Sequence, residues 1–427
     1  MNAPNTIRSI LILGGNPETG AIVEVANSMG LRTVVIDPYP QSPAKRHACK
    51  SYDIDVTNFY LVDKVIEEEG VDGILVGVAD PLVPYYQMLC ARHNFPCYAT
   101  EEIIHSLSSK ENFAQTCKDF QINITPNYDI DISDDEQILS LPFPVVVKPV
   151  DSGAGVGISI CNTLSEFNLG VKQALAVSLK KKIIIEKFMQ CDDMLAYYTF
   201  IDGKAYLSAL ADRHKTKKQG KSSSVCLAAE YPSKHTERFI DEVHPKLINM
   251  FRGLKIENGV LLVQFFVDEK NFYAYDPGFR LQGEAPHIYL KHFNGFDQRE
   301  MLLNFALTGV MYQGDFEQVN DFRFGGKFST TVWVLLSAGQ IGNIKGLDSI
   351  SSHENVIYVL QRFNKGDTVS KSMLGTERQV FARIFTVSNS QQESAETIRY
   401  IYNHLKVLNR HGEDMILDVY CPQEHDE

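Results

Sequence analysis

The sequence has no run of about 18 consecutive apolar residues, the length a membrane-spanning helix requires, and a transmembrane protein is not expected. Residues Met1 to Arg8 show no basic stretch followed by an apolar segment and a small-residue cleavage site, so no secretory leader is expected either. Cysteine is sparse: eight in 427 residues, scattered from Cys49 to Cys421, with no C-x-x-C pair and no Cys/His ligand spacing. Zinc sites and disulfide scaffolds both fail on that spacing, and a reduced, cytoplasmic protein is the expectation. Positive charge is also short, 41 Lys and Arg against 53 Asp and Glu, a net −12. Non-specific nucleic-acid binding needs a basic surface, so that class is set aside. A locally basic cleft for a small phosphorylated ligand remains compatible with the total. The P-loop pattern G-x-x-x-x-G-K-[ST], the dinucleotide fingerprint G-x-G-x-x-G and the nucleophile elbow G-x-S-x-G are all missing. No internal repeat or low-complexity segment is found.

What is present is an ordinary globular composition, 44% hydrophobic and 22% charged, long enough for two to four domains. Residues 1 to about 100 alternate short apolar strands with single helices. Ser9–Leu13 ends in Gly14-Gly15-Asn16-Pro17; a helix over Thr19–Met29 follows, then strands at Thr33–Ile36 and Gly73–Gly77, with helices at Leu61–Glu69 and Asp80–Asn94. Buried strands separated by single helices imply parallel βαβ units, hence a doubly wound sheet.

From about residue 101 the texture changes. A helix at Lys110–Phe120 precedes a strand, Pro144–Pro149, that carries Lys148 between apolar neighbours. It runs into Asp151-Ser152-Gly153-Ala154-Gly155-Val156-Gly157. A lysine on an edge strand is ordinarily a snorkelling side chain. Alternating glycines let a backbone approach a ligand, however, and the N–H groups of such a loop donate to phosphate oxygens beside a lysine charge. Lys182–Phe188 reads as a strand ending in an acidic turn. Antiparallel strands are expected at Met194–Ile201 and Ala205–Ala211, a basic loop at Arg213–Ser224, and one helix over Thr236–Phe251. In the hairpin of Gly259–Val267 and Phe272–Asp276, Gln264 and Asp276 interrupt apolar strands, a costly arrangement unless they are paired or hold a cation such as Mg²⁺. Arg280 stands four residues beyond Asp276 and reaches either phosphate or a substrate carboxylate. A buried Asp–Arg pair is the plainer alternative. The last hundred residues read as β-rich, with one amphipathic helix at Ser390–Leu405.

In their order, these motifs resemble an ATP-grasp carboxylate–amine ligase related to carbamoyl-phosphate synthetase and the L-amino-acid ligases. The resemblance covers GGNPETG, Ser109-Lys110-Glu111, PVVVKPVDSGAGVG, IIIEKFM and QFFVDE…YDPGFRLQG. It implies an α/β and α+β multidomain fold: a pre-ATP-grasp doubly wound domain over 1–100, a two-lobed ATP-grasp domain over 101–325 with its small lobe at about 110–190, and a small β-rich domain over 326–427. It implies ATP with Mg²⁺ or Mn²⁺, and small-molecule carboxylate and amine substrates, with a homodimer as the default assembly. Lys110 and Lys148 would grip the phosphates under the loop of Ser152, Gly153, Ala154 and Gly155. Glu186, Lys187 and Phe188 would line the adenine pocket, and Asp193 would hold the ribose in place of the family's Glu. Gln264 and Asp276 would bind metal, and Arg280 would stabilise the transferred phosphoryl group.

Asp276 is shorter than the usual Glu. Gly278 replaces an Asn and removes one ligand, leaving few donors for a second ion. These departures motivate an alternative, a catalytically degenerate nucleotide-binding or scaffold protein. A dinucleotide oxidoreductase has only Asp37, after the second strand, in its favour. The Arg213–Lys221 stretch, and His287 and His292, stay candidates for substrate contact.

Overall fold

In a computed structural model the described residues are 7–150, 156–216 and 225–422. The chain opens with β1 (Ser9–Leu13), α1 (Pro17–Ser28), β2 (Arg32–Ile36), β3 (Lys50–Tyr52), α2 (Phe59–Glu68), β4 (Gly73–Val76) and α3 (Val83–His93). The four strands form a parallel sheet in the order β3-β2-β1-β4. Every residue of β1 and β4 is buried, as the unbroken apolar runs require for a sheet covered on both faces. The strand order reverses between β1 and β4, so the crevice at their carboxyl ends is a topological switch point. Asn16 both caps α1, accepting from Thr19 N–H at 2.8 Å, and ties that loop to the one after β4 by donating to Val78 C=O at 2.7 Å. The helix expected over Asp80–Asn94 is a short 3₁₀ turn, Asp80–Leu82, followed by α3. Two prolines, Pro81 and Pro84, sit in that stretch, and neither can donate to a preceding turn.

Next come α4 (Glu101–Leu107), α5 (Lys110–Asp119) and α6 (Asp135–Leu139). A three-stranded antiparallel sheet follows, β6-β5-β7, made of β5 (Val145–Pro149), β6 (Ser159–Cys161) and β7 (Ile183–Lys187), with α7 (Leu164–Val177) across it. This small lobe has its own core, including Val145, Val147, Phe167 and Ile185. α5 does not join it: Phe113 and Cys117 belong to the main core, and α5 packs on the strand that carries Asp276.

The large sheet contains β8 (Asp192–Ile201), β9 (Lys204–Lys215), β10 (Cys226–Tyr231), β11 (Gly259–Val267) and β12 (Phe272–Gly278), with α8 (Thr236–Glu242) and α9 (His244–Gly253) between β10 and β11. The single helix expected over Thr236–Phe251 is broken at Val243, two residues before Pro245. Arg213 and Lys215, read as loop, are strand residues, because β10 pairs with β9 in the register Ala229↔Arg213 and Cys226↔Lys215.

After α10 (His287–Asn294) and α11 (Gln298–Thr308), β13 (Phe328–Leu336) pairs with β10. Then come β14 (Gly339–Lys345), α12 (Leu347–Ser351), β15 (Val356–Gln361), β16 (Thr368–Val369), β17 (Val380–Ser388), α13 (Gln391–His404), β18 (Lys406–Asn409) and β19 (Ile416–Leu417). The C-terminal strands therefore extend the large lobe's sheet, in the order β12-β11-β8-β9-β10-β13-β17-β15, while β16-β14-β18 form a small sheet of their own. A boundary at 325/326 cuts across this hydrogen-bonded sheet, since β13 offers β10 a free edge to continue. Among the described residues no helix is long and apolar enough to cross a membrane.

Candidate active site

The site is built on one face of the hairpin β11–β12. Gln264 lies opposite Asp276, but Phe265 lies opposite Ala274, so Tyr275 is an extra residue in a β-bulge. The bulge puts Tyr275 and Asp276 side by side toward Gln264. Gln264 donates to Asp276 Oδ2 at 3.2 Å and accepts from the Tyr275 hydroxyl at 3.0 Å. The two residues chosen from the sequence as interruptions of apolar strands are thus partners.

Burial pushes the Asp276 carboxyl above the usual carboxylate range. Lys110 pulls against that shift, Asp80 adds to it, and Lys148 and Arg213 also pull against it. Lys110, at the start of α5, and Lys148, on β5, therefore converge electrostatically on Asp276 from two different elements. Lys148 is buried, and its ammonium lies 2.6 Å from Glu186 Oε1. The register explains this: Val146 faces Glu186 and Lys148 faces Ile184, so lysine and glutamate share one face of the small lobe's sheet. An anion entering here competes with Glu186 for Lys148.

At the hinge, Lys187 N–H donates to Pro126 C=O at 2.9 Å and Phe188 N–H to Pro144 C=O at 3.3 Å. Those two donors hold the fold together, so a base docking at this hinge has to be met by other backbone groups. Ser152, Gly153, Ala154 and Gly155 lie outside the described residues, as do Lys217, Lys218 and Lys221.

Asp193 departs from expectation. It is buried on β8 opposite Phe266, and its oxygens accept from Arg213 at 3.2 Å, from the Tyr275 hydroxyl at 3.1 Å and from Lys215. Burial alone would raise its pKa; the Arg213 and Lys215 charges outweigh that and hold it below the usual range. A carboxylate so engaged is a structural centre joining β8, β9 and β12, and it binds ribose hydroxyls only by giving up those contacts. The sequence could not reveal this, because Arg213 reads as loop until β10 completes the strand.

Arg280 is placed as expected at the end of the hairpin, and its guanidinium pairs with Asp80, the first residue after the β4 loop. Its Nη1 donates to Leu281 C=O at 2.7 Å, and its buried Nε has no partner among the described residues. Asp80 and Glu18 were both missed as site residues. Glu18, in GGNPETG, is buried between Arg383 and Arg362. Each acid follows a strand of the parallel sheet at its switch point, and that position is the signal that could have found them.

Of the histidines, His287 is buried and its pKa is pushed down to about 3, by burial first and the Arg299 charge second. That marks a structural residue. Among the described residues no three His, Cys, Asp or Glu side chains are grouped to hold a metal ion. A magnesium site is a different matter: one or two carboxylates plus substrate phosphates suffice, and Asp276 fits that demand, with the Gln264 amide oxygen able to join it by turning from Tyr275.

The architecture, a doubly wound parallel sheet, a three-stranded lobe and a long antiparallel sheet, matches that of ATP-grasp ligase structures. The comparisons agree. Residues 124–206 match the family described as D-ala D-ala ligase C-terminus. Over 94% of its length the chain superposes on all but 1% of the L-amino acid ligase from Bacillus licheniformis, with a TM-score of 0.76 at 16% identity. It also superposes on the biotin carboxylase domain of the Hydrogenobacter thermophilus 2-oxoglutarate carboxylase, determined with MgADP and bicarbonate (TM-score 0.74, 16% identity, covering 97% of this chain and 92% of that one). In sequence it is 22% identical over 215 residues to the formate-dependent phosphoribosylglycinamide formyltransferase of Bacillus subtilis, covering 49% of this chain and 56% of that protein. The chain spans about half the length of the curated relatives it matches.

Proposed function

We propose that the chain is an ADP-forming carboxylate–amine ligase. A substrate carboxylate attacks the γ-phosphate of ATP to give an acyl phosphate, and an amine then displaces phosphate to form an amide. The observation that carries this reading is the convergence of Lys110, Lys148 and the Gln264–Asp276 pair between two sheets, with Arg280 at the rim. Phosphoryl transfer needs positioning and charge neutralisation more than a covalent nucleophile, and these residue types supply that. A bound divalent ion would neutralise phosphate charge. On the protein's side, Asp276 would present its oxygens to that ion, Gln264 would add its amide oxygen on turning from Tyr275, Lys148 and Lys110 would hold phosphate oxygens, and Arg280 would face the transferred group. The acid and amine are small molecules.

Two observations favour the degenerate-scaffold alternative: the engaged Asp193 and the missing side chain at Gly278. Incubation with ATP, Mg²⁺ and a panel of amino acids and small carboxylates separates the readings. Acid-dependent release of ADP and phosphate is expected. Tight ATP binding with no ADP above background for any pair would leave the scaffold reading standing.

A further inference from the structure

Gly278 lies two residues beyond Asp276 on β12, so a side chain there would point to the same face as the Asp276 carboxylate. The backbone does not demand glycine, because Gly278 is not among the positive-φ residues. Crowding disfavours a side chain there only through the buried Gln282, which would have to give by a few tenths of an ångström. A Cβ would meet Gln282 Oε1 at 3.3 Å, Asp80 Oδ1 at 3.5 Å and Arg280 Cζ at 4.0 Å, all of them side-chain atoms. The space a side chain would have used is thus faced by an oxygen of Asp80, which arrives from the N-terminal sheet. The two oxygens of that carboxylate are divided between tasks. Oδ2 holds Arg280, while Oδ1 faces β12 at position 278. Asp80 is exposed, with its side chain 54% accessible, and its Oδ1 has no hydrogen bond given to it among the described residues.

Resting on the ligase reading above, we propose that Asp80 supplies from the N-terminal domain the oxygen donor that position 278 lacks, completing with Gln264 and Asp276 the protein's set for the divalent ion. A third oxygen suits an ion that favours hard, octahedral oxygen coordination and takes its remaining ligands from phosphate and water. The arrangement makes metal binding depend on contact between the N-terminal sheet and the large lobe, and it couples the ion to Arg280 through one carboxylate.

The test uses the full chain. Mn²⁺ binding is read as loss of the free-ion electron spin resonance signal, with ADP kept below the protein concentration. ADP binding is measured separately by calorimetry in EDTA. Asp80→Ala is expected to weaken Mn²⁺ roughly 10–100-fold, the usual range for losing a supporting metal contact. Metal-free ADP binding should be unchanged, and Gly278→Asn added to Asp80→Ala should restore most of the Mn²⁺ affinity. Wild-type Mn²⁺ affinity in Asp80→Ala would overturn the proposal. So would a failure of Gly278→Asn to rescue while Arg280→Met weakens Mn²⁺ equally, since Asp80 would then act only by holding the arginine. If the wild type binds ADP but no Mn²⁺, the metal assignment alone falls; if it binds neither, the ligase reading falls with it.

Discussion

Glu18 offers the sharpest physical test of how the domains are joined. Its carboxylate is buried and pairs with Arg362, just past β15, and with Arg383 on β17 at 2.7 Å. Arg383 also donates to Gly283 C=O in the segment after β12, so the cluster ties the N-terminal helix α1, the active-site hairpin and the C-terminal strands together. The buried Nε atoms of both arginines have no partner among the described residues; Glu377 is the other acid at the cluster, pairing with Arg383 at 3.1 Å and accepting from Arg362 through its backbone carbonyl at 2.7 Å. Burial works to raise the Glu18 pKa, but the Arg383 and Arg362 charges win and bring it from 4.5 to about 2.

A shift of that size corresponds to about 3 kcal/mol of stability at neutral pH. The sign follows from linkage. A carboxyl with a depressed folded-state pKa stabilises fully above its unfolded value near 4.5, and the contribution drains away as pH falls toward 2. By pH 3 only about 1 kcal/mol of it should remain. Glu18→Gln removes the charge at nearly constant volume, takes the carboxylate partner from buried Arg362 and leaves buried Arg383 with Glu377 alone, a change that typically costs about 3–5 kcal/mol. The assay is urea denaturation at pH 7 and pH 3, following the first unfolding transition because a chain of several lobes need not unfold in one step. Glu18→Gln should lower that transition strongly at pH 7 and much less at pH 3, and Arg383→Gln should be non-additive with it. A loss below about 0.5 kcal/mol at pH 7, the scale of an ordinary surface substitution, would refute the reasoning. A loss of equal size at both pH values would refute it too.

Lys148→Ala and Asp276→Ala should each reduce ADP release at least about 100-fold, the usual scale for removing a group that neutralises charge in a transition state, with unchanged circular dichroism; near-normal turnover would show the site to be misplaced. Asp193→Asn should cost about 3–5 kcal/mol of unfolding free energy in urea denaturation, because Arg213 and Lys215 stay buried with one anion fewer, and a neutral outcome would return Asp193 to the role of a ribose ligand. His287 stays neutral in the fold with a pKa near 3, whereas the unfolded chain protonates near 6.5. Stability should therefore fall by about 2 kcal/mol between pH 7 and pH 5 from this residue alone. A His287→Phe variant with the same acid sensitivity as wild type would sink that assignment.

How much of this was legible beforehand differs by element. The parallel N-terminal strands, the hairpin with its two polar interruptions and the helix over Gln391–His404 were readable from local apolar periodicity, which is a property of the chain itself. The motif order also pointed to Lys110, Lys148, Gln264, Asp276 and Arg280. Tertiary structure decided what those residues touch. Lys148 is held by Glu186, and Asp193 is buried among Arg213, Lys215 and Tyr275, contacts that depend on strand register and on a bulge no pattern marks. Asp80 and Glu18 gained their places because a parallel sheet brings the ends of strands distant in sequence to one crevice, and another domain's arginines then close on it. Local periodicity records which side of an element faces the core. It carries no information about which charged groups from remote parts of the chain meet across a cleft, because that depends on how whole sheets pack.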